Sequence, residues 1–218
     1  MTARFDAELR NRERHFRVVI FGSARIHPES PYYRQIHDLA RMIAAEGMDL
    51  VTGGGPGLMD AAASGHRQGD RPPRHTHSIG LPIILPTGEQ MNRHLDVKKE
   101  FHRFSARLDT FMELSHCVVV APGGVGTMLE FYYTWQLIQV KLRRPIQIIL
   151  LGDMWPEFLT WARRWQLRLG LLDQKDLDLL HPAKDVAEAI RLIREARARY
   201  LEAGSVKPSP TRWGVTYD

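Results

Sequence analysis

Two glycine-rich segments are the parts of this sequence best suited to binding an anion. Residues 53–57 read Gly-Gly-Gly-Pro-Gly and residues 122–126 read Pro-Gly-Gly-Val-Gly, and each lies between an apolar run and a helical pattern. Glycine lets backbone N–H groups approach a phosphate closely, and the positive end of the following helix adds to the attraction. The alternative is two tight turns that need glycine for geometry alone. Because both segments open a helix, the sequence favours a phosphate site.

Neither glycine segment matches the common nucleotide-binding fingerprints. A P-loop ends in Gly-Lys-Ser or Gly-Lys-Thr, whereas Gly126 is followed directly by Thr127. The dinucleotide pattern Gly-x-Gly-x-x-Gly fits neither 53–58 nor 123–129. The sequence therefore gives little support to an ATPase or to an NAD-dependent dehydrogenase.

Thr127 and Glu130 have the spacing of a helix capping box. In that motif a Thr side chain and a Glu side chain three residues later each satisfy a free backbone N–H. Spacing alone favours this structural role. A cap at a helix end that faces a ligand also lies beside that ligand, so the capping role does not exclude a role in binding or catalysis.

Apolar β-branched runs alternate with helical patterns along the chain, which indicates an α/β fold. We expect a Rossmann-like, doubly wound parallel sheet with helices on both faces, and both glycine segments at its carboxyl edge, where ligands bind. One domain spans residues 1–218 in this interpretation, with a core at about 17–195 and peripheral tails at 1–15 and 203–218. The predicted strands are 17–21, 48–52, 78–85, 117–121, 146–151 and 178–181, and the predicted helices are 32–46, 58–67, 103–114, 127–142, 155–169 and 183–202.

Composition excludes several classes of protein. The chain has 218 residues and a net charge of +5, and its single cysteine, Cys117, rules out an intramolecular disulfide framework and a zinc site built from several cysteines. No apolar run approaches the roughly 20 residues that span a bilayer, and the charged N-terminus does not resemble a signal peptide. We expect a soluble, cytoplasmic protein without a membrane partner. Six of the 30 basic residues are lysine, which leaves 24 arginines, but they are scattered, so nucleic-acid binding is not favoured.

Several segments together resemble the lonely-guy (LOG) family of cytokinin riboside 5′-monophosphate phosphoribohydrolases, also labelled "lysine decarboxylase-like". The resemblance covers about residues 17–195 and is strongest to the longer bacterial branch. The combination of Gly-Gly-Gly-x-x-Gly-x-Met with Pro-Gly-Gly-x-Gly-Thr-x-x-Glu is the specific part of it. The segments are 21–25, 31–33, 51–59, 78–81, 85–86, 89–90 with Asn92, and 122–130.

The resemblance implies a Rossmann-like homodimer that hydrolyses the N-glycosidic bond of a nucleoside 5′-monophosphate, AMP or a cytokinin riboside 5′-monophosphate. It implies Glu130 and Arg107 as catalytic residues, with Arg107 contacting either the phosphate or the departing base. No cofactor and no metal are required. Leu108 departs from the family, which usually has Lys at this position. The substrate- and phosphate-binding positions are Gly22, Ser23, Gly54, Gly55, Gly57, Glu89, Gly123, Gly124, Val125, Gly126 and Thr127.

Other functions remain open at this stage. A non-catalytic carrier of a nucleotide or of molybdenum cofactor on the same fold is the main alternative, and Leu108 is compatible with it. A true lysine decarboxylase normally uses a pyridoxal Schiff base in a larger scaffold, and no lysine lies in either glycine segment. We also expect a homodimer, assembled partly through the helix at 127–142, because its large apolar side chains are too many for one amphipathic stripe. These side chains are Phe131, Tyr132, Tyr133 and Trp135.

Overall fold

The computed structural model describes residues 15–72, 76–86, 88 and 91–204. Glu89 and nearly all of the two predicted tails lie outside these residues. The strands are β1 (Arg17–Phe21), β2 (Asp49–Thr52), β3 (Ser78–Gly80), β4 (Val97–Lys98), β5 (Cys117–Val120), β6 (Gln147–Leu151) and β7 (Leu180–Ala183). The helices are α1 (Pro31–Ala45), α2 (Leu58–Gly69), α3 (Phe104–Leu114), α4 (Val125–Gln139), α5 (Met154–Ala162), α6 (Gln174–Leu177) and α7 (Val186–Gly204), and a π-helical turn, Arg163–Leu167, continues α5.

The seven strands form one parallel sheet in the order β4-β3-β2-β1-β5-β6-β7. Strand β1 pairs with both β2 and β5, so the chain builds the sheet outward from β1 in one direction and then in the other. This is the doubly wound arrangement, in which ligands bind where the strand order reverses. The predicted fold class is confirmed.

Alternate residues of the strands pack into two separate cores, one on each face of the sheet. Val19 and Val118 belong to the core that α3, α4 and α5 cover. Val18 and Val119 belong to the opposite core, which α1, α2 and α7 cover. Because successive strand residues point to opposite faces, this division follows directly from the continuous apolar runs of a buried parallel strand.

The third predicted strand was too long. It ends at Gly80. The N–H of Leu81 still donates to the carbonyl of Thr52, but Pro82 has no N–H with which to continue a ladder. The two-residue edge strand β4 and the short helix α6 were not predicted. No helix in the described part of the chain is long and apolar enough to cross a membrane.

Candidate active site

Three turns meet where the strand order reverses, and backbone hydrogen bonds join them. The N–H of Ser23, after β1, donates to the carbonyl of Pro122, after β5, at 3.1 Å. The carbonyl of Ser23 accepts from the N–H of Leu58, at the start of α2, at 2.9 Å. The two glycine segments therefore lie on either side of the turn at Gly22 and Ser23, as the prediction of a shared carboxyl edge requires.

Glycine is required by the chain itself in the first segment. A Cβ on Gly53 would collide with the guanidinium of Arg107, and Gly54 and Gly57 have φ angles of +75° and +66°. A Cβ on Gly57 would also collide with the carbonyl of Ser23. The explanation by geometry alone therefore accounts for Gly53, Gly54 and Gly57 without any ligand.

The second segment is different, because two of its glycines face open space. An added Cβ on Gly124 or Gly126 would have no heavy atom within 4 Å. Gly124 is the N-cap of α4, no side chain caps the helix there, and Val125 is 89% exposed. The first backbone N–H groups of a helix lack partners within it and attract anions. The start of α4 is thus uncapped by any side chain, and its two open glycines leave its backbone accessible.

The capping box predicted for Thr127 and Glu130 is wrong. Helix α4 begins at Val125, two residues earlier than expected, so Thr127 lies inside the first turn rather than at the cap. Thr127 is buried against Gly123, where a Cβ would collide with its hydroxyl group. Glu130 lies about one turn further along the helix, and its side chain does not cap the helix.

Glu130 forms an ion pair with Arg107, the other predicted catalytic residue. Nη1 of Arg107 donates to Oε1 of Glu130 at 2.8 Å, and the two side chains are only 9% and 11% exposed. Nε of Arg107 donates to the carbonyl of Leu81 at 2.6 Å, and its guanidinium lies 5.0 Å from the centre of the Phe111 ring. Three contacts therefore hold the arginine, and it fixes the position of the Glu130 carboxylate.

Leu108, the position at which the chain departs from the LOG pattern, is buried beside Arg107 on α3. Exposed His102 and Arg103 precede the helix. In the described residues no cluster of three or more His, Cys, Asp or Glu side chains could hold a metal ion.

Sequence reasoning gave no role to a polar cluster beside the first glycine segment. The hydroxyl of Tyr33 donates to Oδ2 of Asp60 at 2.7 Å, and Nε2 of His94 lies 4.0 Å from the other oxygen of Asp60. Burial, and then the bond to Asp60, raises the pKa of Tyr33 above its ordinary value. Tyr33 belongs to a Pro-Tyr-Tyr segment and Asp60 to a Gly-Leu-Met-Asp segment. Nothing in the spacing of either segment predicts that the two side chains meet.

Asn92 forms two hydrogen bonds with the backbone of the first glycine segment. Its N–H donates to the carbonyl of Gly54 at 3.0 Å, and its side-chain amide donates to the carbonyl of Gly55 at 3.3 Å. Of the predicted binding positions, the structure brings together Gly22, Ser23, Gly54, Gly55, Gly57, Gly123, Gly124, Val125, Gly126 and Thr127 along this edge; Glu89 lies outside the described residues.

Comparison with known proteins identifies the family of the chain. Residues 59–193 match the family model described as possible lysine decarboxylase, which covers more than half of the chain. The chain belongs to this family, the LOG family. A relative in Escherichia coli K12, a pyrimidine/purine nucleotide 5′-monophosphate nucleosidase, is 29% identical over 126 residues, 53% of this chain. The match spans about a quarter, 26%, of the length of that relative.

A second relative is a plant LOG protein. The probable cytokinin riboside 5′-monophosphate phosphoribohydrolase LOGL3 of rice (Oryza sativa subsp. japonica) is 26% identical over 149 residues, which cover 66% of this chain and 68% of that protein. Both relatives are named as enzymes that act on 5′-monophosphates.

Solved structures share the fold. The molybdenum cofactor binding protein of Rippkaea orientalis is 20% identical with a TM-score of 0.63, covering 84% of this chain and 97% of that one. The molybdenum cofactor carrier protein of Chlamydomonas reinhardtii is 22% identical with a TM-score of 0.60, covering 85% of this chain and 99% of that one. At these identities the likeness establishes the α/β fold alone.

Proposed function

We propose that this LOG-family chain hydrolyses the N-glycosidic bond of a nucleoside 5′-monophosphate and releases the free base and ribose 5-phosphate. The observation that carries the proposal is the buried Arg107–Glu130 pair beside the uncapped start of α4. A phosphate and a sugar need these two features at adjacent positions, one to bind the anion and one to act on the anomeric carbon.

The start of α4 binds the 5′-phosphate in this mechanism. The N–H groups at Val125, Gly126 and Thr127 point out of the helix, and the helix dipole adds to the attraction. Gly124 and Gly126 leave the backbone bare, so phosphate oxygens can reach hydrogen-bonding distance. Since the phosphate is held in both substrate and transition state, this contact contributes to binding and to orientation of the sugar.

Glu130 acts on the sugar in this mechanism. It lies three residues after Thr127, a rise of about 4.5 Å along the helix, which suits the distance from the phosphate to the ribose ring. Cleavage of the C–N bond builds positive charge on the ribose, and a carboxylate beside the anomeric carbon stabilises that charge or orients the attacking water. Arg107 holds the carboxylate in place, and its charge offsets the cost of burying it.

The product panel tests this proposal directly. The full chain is incubated with AMP, other nucleoside 5′-monophosphates, adenosine and ATP, and the free base is separated by chromatography. We expect base release from a monophosphate and none from adenosine, because the phosphate anchors the substrate. Equal turnover of adenosine and AMP would exclude the phosphate anchor, and release of inorganic phosphate would make the chain a phosphatase.

A carrier role is the second candidate, and Leu108 is the observation that favours it. An aliphatic side chain is buried where LOG sequences usually have a lysine, which removes one cation from the neighbourhood of the ion pair. A carrier should release no base in the same panel, and in a separate binding measurement it should bind a nucleotide or a pterin-type cofactor tightly.

A further inference from the structure

The surface made by α5 and the π-helical turn after it has an exposed apolar stripe that the proposed function does not use. Trp161, Trp165 and Leu169 follow one another at intervals of four residues. The π-helical turn ends at Leu167, so Leu169 and Leu171 lie just beyond it, on either side of Gly170. All four side chains are between 42% and 69% exposed. This is more contiguous apolar surface than scattered exposed residues produce, so it indicates a binding surface.

Arginines border this stripe on one side. Arg164 and Arg168 are exposed, and their guanidinium groups lie 5.5 Å and 5.6 Å from the centre of the Trp165 ring. Arg163 is exposed as well, and no acidic residue occurs between 158 and 172. Exposed Glu157, about one turn before Trp161, is the carboxylate beside them. Three arginines against one glutamate leave the surface with net positive charge, which favours an anionic partner.

The geometry points to an anionic lipid bilayer surface as the partner of the Trp161–Leu171 stripe. Tryptophan and leucine on one face with arginine beside them is the pattern of a helix that lies in the headgroup region of a membrane. Trp165 and Leu169 reach into the apolar boundary, while Arg164 and Arg168 extend along the surface to lipid phosphates. A cavity of about 360 Å³ opens on this face, and Trp161, Arg164 and Trp165 line it together with Glu157. It gives room for a headgroup that carries both charges or whose phosphate lies toward Arg164.

Two other partners fit these observations less well. A second copy of the chain, paired through the same stripe, would bring like charges together in the contact. A single-stranded nucleic acid would need bare aromatic faces for base stacking, whereas two guanidinium groups already lie over the Trp165 ring. The expectation of no membrane partner rested on the absence of a spanning segment, and contact with a bilayer surface needs none.

Vesicle flotation of the full chain tests the inference. The vesicles are phosphatidylcholine, either alone or with about 30% phosphatidylglycerol. We expect the chain to float with the anionic vesicles at low salt, to stay behind with the neutral ones, and to be released by added salt. The double variant Arg164→Gln/Arg168→Gln should weaken binding about 30-fold, from roughly 1 kcal/mol for each arginine near the surface. Leu169→Ser should weaken it too, through the lost apolar contact.

A matched control separates this surface from net charge. Arg41→Gln/Arg67→Gln removes the same charge from exposed positions on α1 and α2 and should leave flotation nearly unchanged. All variants should keep the thermal midpoint and the base release of the unaltered chain, because none of these residues lies at the proposed active site. Equal loss of flotation in the control, or no flotation at all, would overturn the inference. Dissociation of a dimer by Leu169→Ser would reassign the stripe to an interface between copies.

Discussion

Glu130 and Arg107 depend on each other for burial. A carboxylate and a guanidinium that are each about one-tenth exposed would be costly to bury alone, and pairing at 2.8 Å offsets that cost. Glu130→Gln keeps the shape and an oxygen that accepts from Arg107, but it removes the negative charge. If Glu130 stabilises a ribosyl cation, turnover should fall by about 10²–10³ while AMP still binds. Unfolding should become easier by about 1–3 kcal/mol, the scale of a weakened charged hydrogen bond.

The measurement is the rate of base release and the free energy of unfolding on one preparation of the variant. Glu113→Gln makes the same chemical change at an exposed position on α3 and serves as the control. Normal turnover by the Glu130 variant would show that the residue is not catalytic, and it would favour the carrier function over hydrolysis.

Gly53 and Gly126 lack a side chain for different reasons, which predicts opposite effects of alanine on stability. Gly126→Ala meets no atom within 4 Å and lies in the first turn of α4, so the helix should gain up to about 1 kcal/mol. Its methyl group should nevertheless obstruct the phosphate and raise KM. Gly53→Ala places a Cβ against the Arg107 guanidinium and 2.7 Å from Sδ of Met59, so stability and turnover should both fall.

Denaturant unfolding and steady-state kinetics on the two glycine variants distinguish these effects. A Gly126→Ala chain with unchanged KM for AMP would mean that the phosphate does not bind at the start of α4.

At the scale of the elements, the sequence predicted six of the seven strands and the alternation that makes the sheet parallel. Strand β4 was missed because two residues are too short to show a period, and α6 for a similar reason. The start of α4 was misplaced because Thr-x-x-Glu is a strong cap signal, whereas the structure caps the helix at Gly124, with no side chain. The contacts that position Arg107 were beyond sequence reasoning, since Leu81, Gly53 and Glu130 come together only through the packing of the sheet and α3.

Helix α2 carries a buried histidine that should make folding stability depend on pH. Burial lowers the pKa of His66, although Nε2 lies 2.9 Å from the carbonyl of Met48. The unfolded chain therefore binds a proton more readily than the folded one. Stability from this residue is fully present above the ordinary histidine pKa, about 6.5, and is lost as the pH falls below it.

Replacement of this histidine tests that dependence. His66→Gln keeps an N–H donor for Met48 but does not titrate, so the decline in unfolding free energy between about pH 7 and pH 5 should become shallower. Urea unfolding at a series of pH values measures the slope. The same slope in both chains would show that other groups cause the decline.

At the scale of the whole molecule, the prediction of a homodimer keeps Tyr132 from the residues that the sequence suggested but otherwise rests on different ones. Phe131 and Trp135 fill the core of their own subunit, so they cannot drive assembly. The exposed apolar residues of α4 are instead Val125, Leu129 and Tyr132, which lie on one face of the helix. We expect a second copy to cover this face. Light scattering at micromolar concentration should give a dimer, and Leu129→Arg should shift it toward 25.0 kDa.

A mass of 25.0 kDa for the unaltered chain would refute the dimer. Tyr133→Phe is a useful comparison, because the hydroxyl of that tyrosine donates to Asp109 within the subunit and should not affect assembly.

Because Cys117 is buried, the rate at which a reagent labels its thiol reports how often the folded chain opens. The sole cysteine lies on β5, between β1 and β6, and burial raises the pKa of its thiol to about 12. An alkylating reagent can reach it only when the centre of the sheet separates, so the labelling rate reports the population of open chains. A ligand that binds only the closed chain slows labelling in proportion to its occupancy. Nucleotides, bases and pterins can thus be ranked as ligands by mass spectrometry of one thiol, whether or not any of them is cleaved.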